Sequence, residues 1–159
     1  MTNPLTVSTP NDRDVLVVRT FNAPREMVWT CFNSPEFVSR WMLGPDGWSM
    51  PVCEIDSRPG GTFRYVWANA DGRDLKMTGT FVEVVPPERT VHIENFDEDW
   101  AGAPTEVTTL FTEADGVTTV TMTIRFESQD ARDAARATGM TDGMETGYAR
   151  LDALLAELG

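Results

Sequence analysis

Two hydrophobic periods alternate along the chain. Asp14–Phe21 reads DVLVVRTF, β-branched and partly alternating, and predicts a first strand. Asn22-Ala23-Pro24 closes it, and Pro24 suits the first turn of a helix, where a missing N–H has no partner to lose. Met27, Val28, Cys31 and Phe32 then share one helical face. Ser34-Pro35-Glu36 predicts a second short helix, with Ser34 as cap, Pro35 at its first position and Glu36 in its first turn. Its apolar face is Phe37, Val38, Trp41 and Met42, and Gly44-Pro45-Asp46-Gly47 stops it.

From Trp48 the period is two. Strands are predicted at about 48–57, 61–69, 74–85, 89–96, 105–113 and 116–126, separated by Arg58-Pro59-Gly60-Gly61, Asp71-Gly72, Pro86-Pro87 and Asp115-Gly116. Phe63, Tyr65 and Trp67 share one face of their strand; Val120, Met122, Ile124 and Phe126 share one face of the last, with Thr119, Thr121, Thr123 and Arg125 opposite. Loops this short imply an antiparallel meander. After Ser128 the period is helical again, from Ala131 to Leu158. Gly139 and Gly143 are expected to break or bend this helix and Asp142 to re-cap it with Glu145, leaving a long helix over about 143–158.

These elements predict an α+β fold. A curved antiparallel sheet of seven strands, with two short helices after strand 1, wraps around a long C-terminal helix that covers its apolar face. Residues 1–13, with Pro4, Pro10 and polar neighbours, are expected to be a flexible arm, and 14–159 a single domain. Where sheet and helix diverge, a space is expected, and that space is the default ligand site.

Composition narrows the function. A chain of 159 residues, 41% hydrophobic and 24% charged, is that of a globular domain, not a disordered one. Its net charge of −12 argues against binding nucleic acid or anionic membrane surfaces. No apolar run reaches the roughly 18 residues that span a bilayer, and the polar start MTNPLTVSTPNDRD does not read as a signal peptide. Cys31 and Cys53 form neither a disulfide framework nor a metal knuckle, which points to a reducing cytoplasm with both thiols packed as small hydrophobes.

His92 is the only histidine, so no histidine-based metal cluster exists. The chain lacks a P-loop and a Gly-x-Ser-x-Gly elbow. By period two His92 shares a face with Glu94 and Phe96; such a pair is either a structural hydrogen bond, a ligand-orienting group or an acid–base pair. Asp56 and Arg58 read as a structural pair pinning a strand end beside Gly60-Gly61, the alternative being a substrate-facing Arg58. Asp97-Glu98-Asp99-Trp100 reads as a solvated acidic loop whose tryptophan sits where it can cap a cavity mouth.

The stretches Phe21–Trp29 (FNAPREMVW), Trp41–Pro45 (WMLGP), Asp56–Gly61 (DSRPGG), Gly79–Arg89 (GTFVEVVPPER) and the helix Met144–Leu155 resemble the SRPBCC (START-like, helix-grip) superfamily. Within it they are similar to the branch related to the C-terminal domain of the activator of heat-shock protein 90 ATPase. The resemblance covers about residues 14–158. It implies a helix-grip fold with an internal cavity for hydrophobic or amphipathic small molecules, among members that include lipid carriers, metabolite binders and polyketide aromatase/cyclases. Co-chaperone members carry an additional N-terminal domain, for which this chain is expected to have no room.

Five tryptophans and eight phenylalanines supply flat walls for such a ligand. The expected cavity residues are Trp41, Phe63, Tyr65, Trp67, Met77, His92, Glu94, Met122, Met140, Met144 and Tyr148, the methionines giving an adaptable wall. No catalytic residue, metal or cofactor is assigned. The expected function is binding of a hydrophobic, aromatic or lipid-like small molecule. The alternatives are a polyketide cyclase/dehydratase-type enzyme and a heat-shock protein 90 ATPase-activator-like module with a chaperone partner. Sheet edges also leave a homodimer open.

Overall fold

Period-two alternation from Trp48 to Phe126 builds one continuous antiparallel meander, and the first long strand of the chain closes it by pairing with the last. The computed structural model describes residues 5–97 and 103–159, so Glu98, Asp99 and Trp100 of the acidic loop lie outside the described residues. In chain order the elements are β1 (Thr6–Ser8), β2 (Asp14–Phe21), α1 (Arg25–Asn33), α2 (Pro35–Trp41), β3 (Trp48–Ile55) and β4 (Thr62–Asn69). They continue with β5 (Asp74–Val85), β6 (Arg89–Phe96), β7 (Thr105–Ala114), β8 (Val117–Arg125), α3 (Gln129–Ala137) and α4 (Met140–Leu158). The sheet runs β1-β2-β8-β7-β6-β5-β4-β3, and every pairing is antiparallel.

The sheet has eight strands where seven were expected, because Thr6–Ser8, inside the segment read as a flexible arm, pairs with Leu16–Val18. Asn11 makes this return possible: its Oδ1 accepts from the backbone N–H of Arg13 and of Asp14, a tight side-chain turn that folds the arm back on β2. Leu5 and Val7 pack on the core, and the Leu5 N–H donates to Glu145 Oε2 at 2.9 Å. Both sheet edges are poor templates for further strands. β1 has three residues, and β3 contains Pro51 within a register shift between Ser49 and Val52.

The helices follow their sequence signals with two differences. Ser34 occupies the cap position of α2 but its hydroxyl makes no cap bond; Pro35 at the first helical position sets the start. Gly139, at φ +81°, separates α3 from α4, whereas Gly143 does not interrupt α4 and Asp142 lies in its first turn, not at its cap. Gly147 belongs to a close approach, and Gly143 lies at ordinary contact distance from the 44–45 turn. A Cβ at Gly147 would sit 3.0 Å from the Trp41 carbonyl oxygen, and one at Gly143 3.7 Å from Pro45 Cδ.

The apolar interior forms two clusters on the concave side. The larger joins Val15, Val17, Phe21, Val107, Phe111, Val120 and Ile124 of the sheet to Val28, Cys31, Trp41, Tyr148, Leu151, Leu154 and Leu155 of the helices. The smaller holds Phe63, Tyr65, Trp67, Met77 and Phe81 against Val38 of α2. Each fully buried leucine of α4 contributes about 1.5–3 kcal/mol by leaving water, enough to hold the helix on the sheet. At the strand ends, the Arg125 guanidinium and the Asn11 amide bond Asp14 and hold its carboxyl below the usual carboxylate range, although burial opposes them.

Candidate functional site

The register across β4, β5 and β6 decides which side chains meet. Tyr65 lies opposite Met77 and Met77 opposite Phe96; Phe63 lies opposite Gly79 and Gly79 opposite Glu94; Phe81 lies opposite His92. His92 in turn faces Val107 on β7. His92 therefore stands at the seam between the two apolar clusters, flanked by a member of each.

His92 Nε2 and Glu94 Oε2 are 3.0 Å apart, with the side chains 16% and 19% exposed. An ionised carboxylate only accepts, so Nε2 carries the proton of this bond and, in the neutral ring, Nδ1 is left as an acceptor. Aromatic rings wall the imidazole. Phe63 approaches it edge to face at 5.1 Å and 84°, and Phe81 at 6.0 Å and 74°. Phe63 reaches that far because Gly79 has no side chain: a Cβ there would lie 2.1 Å from Phe63 Cζ.

Tyr65 packs against Phe63, tilted at 5.1 Å, and meets Trp67 edge-on at 5.6 Å. Burial pushes its hydroxyl far above the usual range, and the neighbouring Cys53 and Glu94 push the same way, so it stays a proton donor. Burial also raises the Cys53 and Cys31 thiols to about 11, which keeps both protonated and poorly nucleophilic. Among the described residues, no three His, Cys, Asp or Glu side chains converge where a metal ion could be held.

The expected cavity residues divide between two places. Phe63, Tyr65, Trp67 and Met77 form the smaller cluster, with His92 and Glu94 beside it. Trp41 and Tyr148 are buried in the larger cluster, while Met122, Met140 and Met144 are half-buried against it. Tyr148 packs on Phe21, Phe32 and Trp41 at 5.3, 6.2 and 5.7 Å, and Trp41 Nε1–H donates to the Cys31 carbonyl. Met42 links the two groups, touching both clusters and accepting from Trp67 Nε1–H at 2.7 Å through its carbonyl. Rings thus pack on one another in both clusters, and His92 and Glu94, 16% and 19% exposed, remain within reach of water.

Asp56 and Arg58 form the expected pair, with Arg58 Nε at 3.0 and 2.9 Å from the two Asp56 oxygens, on the exposed surface. A Cβ at Gly61 would meet the Asp56 carbonyl at 2.0 Å, so that turn requires glycine. Two depressions of about 390 and 350 Å³ crease the outer face of the sheet near Thr62, Arg64 and Thr80. Both are open furrows that Phe63 helps to line, and neither His92 nor Glu94 is among their lining residues.

Sequence reasoning missed three contributors. Phe81 and Gly79 shape the wall around His92. Arg19 points inward from β2 and holds Asp152 of α4 through two bonds of 2.6 Å. The signal was present: Arg19 has the same period-two phase as Val15, Val17 and Phe21, and a charge on an apolar face requires a partner.

A curved antiparallel sheet whose apolar face grips a long C-terminal helix defines a helix-grip protein. The chain belongs to the family described as Activator of Hsp90 ATPase homolog 1-like protein, whose model matches residues 22–156, and with it to the START-like superfamily. A crystal structure of a Rhodobacter sphaeroides protein is similar at 32% identity and a TM-score of 0.91, covering 96% of this chain and 98% of that one. A Mycobacterium smegmatis protein shares the fold at 23% identity and a TM-score of 0.83, covering 96% and 97% of the two chains. An Aeromonas hydrophila protein that bears the family name (AHSA1-like) shares it at 24% identity and 0.71, covering 87% and 93%. No curated protein matches this chain. Among the described residues no helix is long and apolar enough to cross a membrane.

Proposed function

We propose that the protein binds an apolar or aromatic small molecule on the concave face of its sheet, with His92 and Glu94 as the polar anchor. The observation that carries this reading is the partly exposed His92–Glu94 pair within an aromatic wall. A hydrogen-bonded ionisable pair adds little to a core that apolar residues would pack as well, so its presence at a water-reachable seam fits recognition better than folding. The half-buried Met42, Met122, Met140 and Met144 supply flexible side chains that can yield to a guest. Free Cys31 and Cys53 fit a cytoplasmic setting.

The test is a thermal-shift screen with aromatic, polyketide-like and lipid-like compounds. A ligand at about 100 times its dissociation constant stabilises by about 2.7 kcal/mol, so a binder raises the melting temperature, and the rise is expected to shrink in a His92→Gln, Glu94→Gln double variant. Absence of any shift, or a shift indifferent to the double variant, overturns the reading.

The same contact favours a second reading, an enzyme of the cyclase or dehydratase type. With Nε2 bonded to Glu94, a neutral His92 would offer Nδ1 as the base toward a bound substrate. Turnover of a polyketide-like substrate lost in His92→Gln with binding retained would establish it. Co-chaperone action rests on the family resemblance and on the exposed Val82, Val85 and Leu110; stimulation of a heat-shock protein 90 ATPase tests it.

A further inference from the structure

The charges around His92 decide which head group such a ligand carries. Glu94 brings a carboxylate to an aromatic wall, and only its Oε2 has a partner among the described residues, the His92 imidazole. In the neutral ring, with Nε2–H given to Glu94, His92 Nδ1 is a second acceptor. The cation that β2 sends to the concave side, Arg19, is already bound by both oxygens of Asp152 and is 1% exposed. Arg64 of β4 pairs with Glu54 and Arg89 of β6 with Glu83, in each case at the surface, and Lys76 of β5 takes the exposed phase of its strand, opposite to that of Met77. With His92 neutral, a ligand carboxylate would therefore meet Glu94 with no arginine or lysine on the concave face free to offset the repulsion.

A ligand cation meets the opposite situation. The faces of Phe63, Phe81 and Tyr65 carry the negative side of the ring quadrupole, and a desolvated cation gains from them as well as from the carboxylate. The net charge of −12 also draws cations toward the molecule before contact is made.

Resting on the ligand-binding reading above, we infer that this site takes a small molecule with a protonated amine on an aromatic body and rejects the same body bearing a carboxylate. Acyl chains ending in a free carboxylate are thereby excluded, and aromatic amines are the ligand class.

The experiment titrates the whole protein by calorimetry with three probes of one skeleton: 2-naphthylmethylamine, 2-naphthylmethanol and 2-naphthoate. The amine is expected to bind at least about tenfold more tightly than the alcohol, a difference of about 1.4 kcal/mol, with the carboxylate weakest. Glu94→Gln, nearly isosteric, is expected to weaken the amine about tenfold and so to erase most of its advantage over the alcohol. The ordering of probes on the unaltered protein stands as a test even if the variant fails to fold. If the alcohol or the carboxylate equals the amine, or Glu94→Gln leaves the amine unchanged, the inference falls while the binding reading survives. If none of the three binds and the screen is also blank, both fall.

Discussion

The guanidinium of Arg19 and the carboxylate of Asp152 meet through two parallel bonds of 2.6 Å across the gap between β2 and α4. Arg19 also donates to the Thr20 carbonyl and lies 4.7 Å from the centre of the Phe21 ring, while its buried Nε–H has no hydrogen-bond partner among the described residues. Asp152 keeps contact with water at 37% exposure, so the pair's desolvation falls mainly on the arginine. Removing the carboxylate leaves a buried charge unpaired. Asp152→Ala is expected to lose about 3 kcal/mol in urea denaturation. The double variant Arg19→Met, Asp152→Leu is expected to recover most of it, because apolar isosteres of a buried pair are close to neutral. Unchanged stability in Asp152→Ala would show that the apolar contacts of α4 hold the helix unaided.

Gly79→Ala puts a methyl group 2.1 Å from Phe63 Cζ and 2.5 Å from the Ile93 carbonyl oxygen. Neither distance is tolerable, and the strand must shift or the ring must leave. A cost of about 3 kcal/mol, the upper end for overpacking, is expected from chemical denaturation. Phe63→Leu in the same chain is expected to return part of it, since the ring is one of the two obstacles. Additive losses in the double-mutant cycle would contradict the packing described between these two positions.

Tyr65 and Tyr148 are the two tyrosines of the chain. Burial holds both hydroxyls far above their ordinary pKa near 10. A raised folded-state pKa means stability that is complete below pH ~10 and declines as pH rises beyond it, because the unfolded chain releases these protons first. Tyrosinate absorbance at about 295 nm is therefore expected to stay flat through pH ~10 and to rise together with loss of native circular dichroism. A titration of either tyrosine near pH 10 in the folded protein would place its hydroxyl in water.

Much of this architecture could be read from periodicity, because strands buried on one face must alternate and short turns force antiparallel neighbours. Phe63, Tyr65 and Trp67 announced the concave face of β4 in that way. The eighth strand could not be read, since three residues carry too little pattern and depend on a turn made by the Asn11 side chain. Gly143 was misread because a helical glycine looks the same in sequence whether it breaks a helix or admits a neighbour; Pro45 and Gly44 decide between these only in three dimensions. The candidate site was partly legible. Alternation placed His92 beside Glu94, but the register with β5, which brings Phe81 and Gly79 to them, depends on pairing between separate segments.

The glycines that let α4 lean on the end of α2 also grade its stiffness. Each glycine in a helix interior weakens it by about 1 kcal/mol relative to alanine, so the turns through Gly143 and Gly147 keep their form by resting on Pro45 and the Trp41 carbonyl. The following turns, with Leu151, Leu154 and Leu155 sunk in the core, need no such support. Arg150 ties the two regimes together by donating to the Gly44 carbonyl at 2.7 Å. A substitution that shifts Trp41 or Pro45 is therefore expected to disturb the amino-terminal half of α4 before the half that carries the leucines.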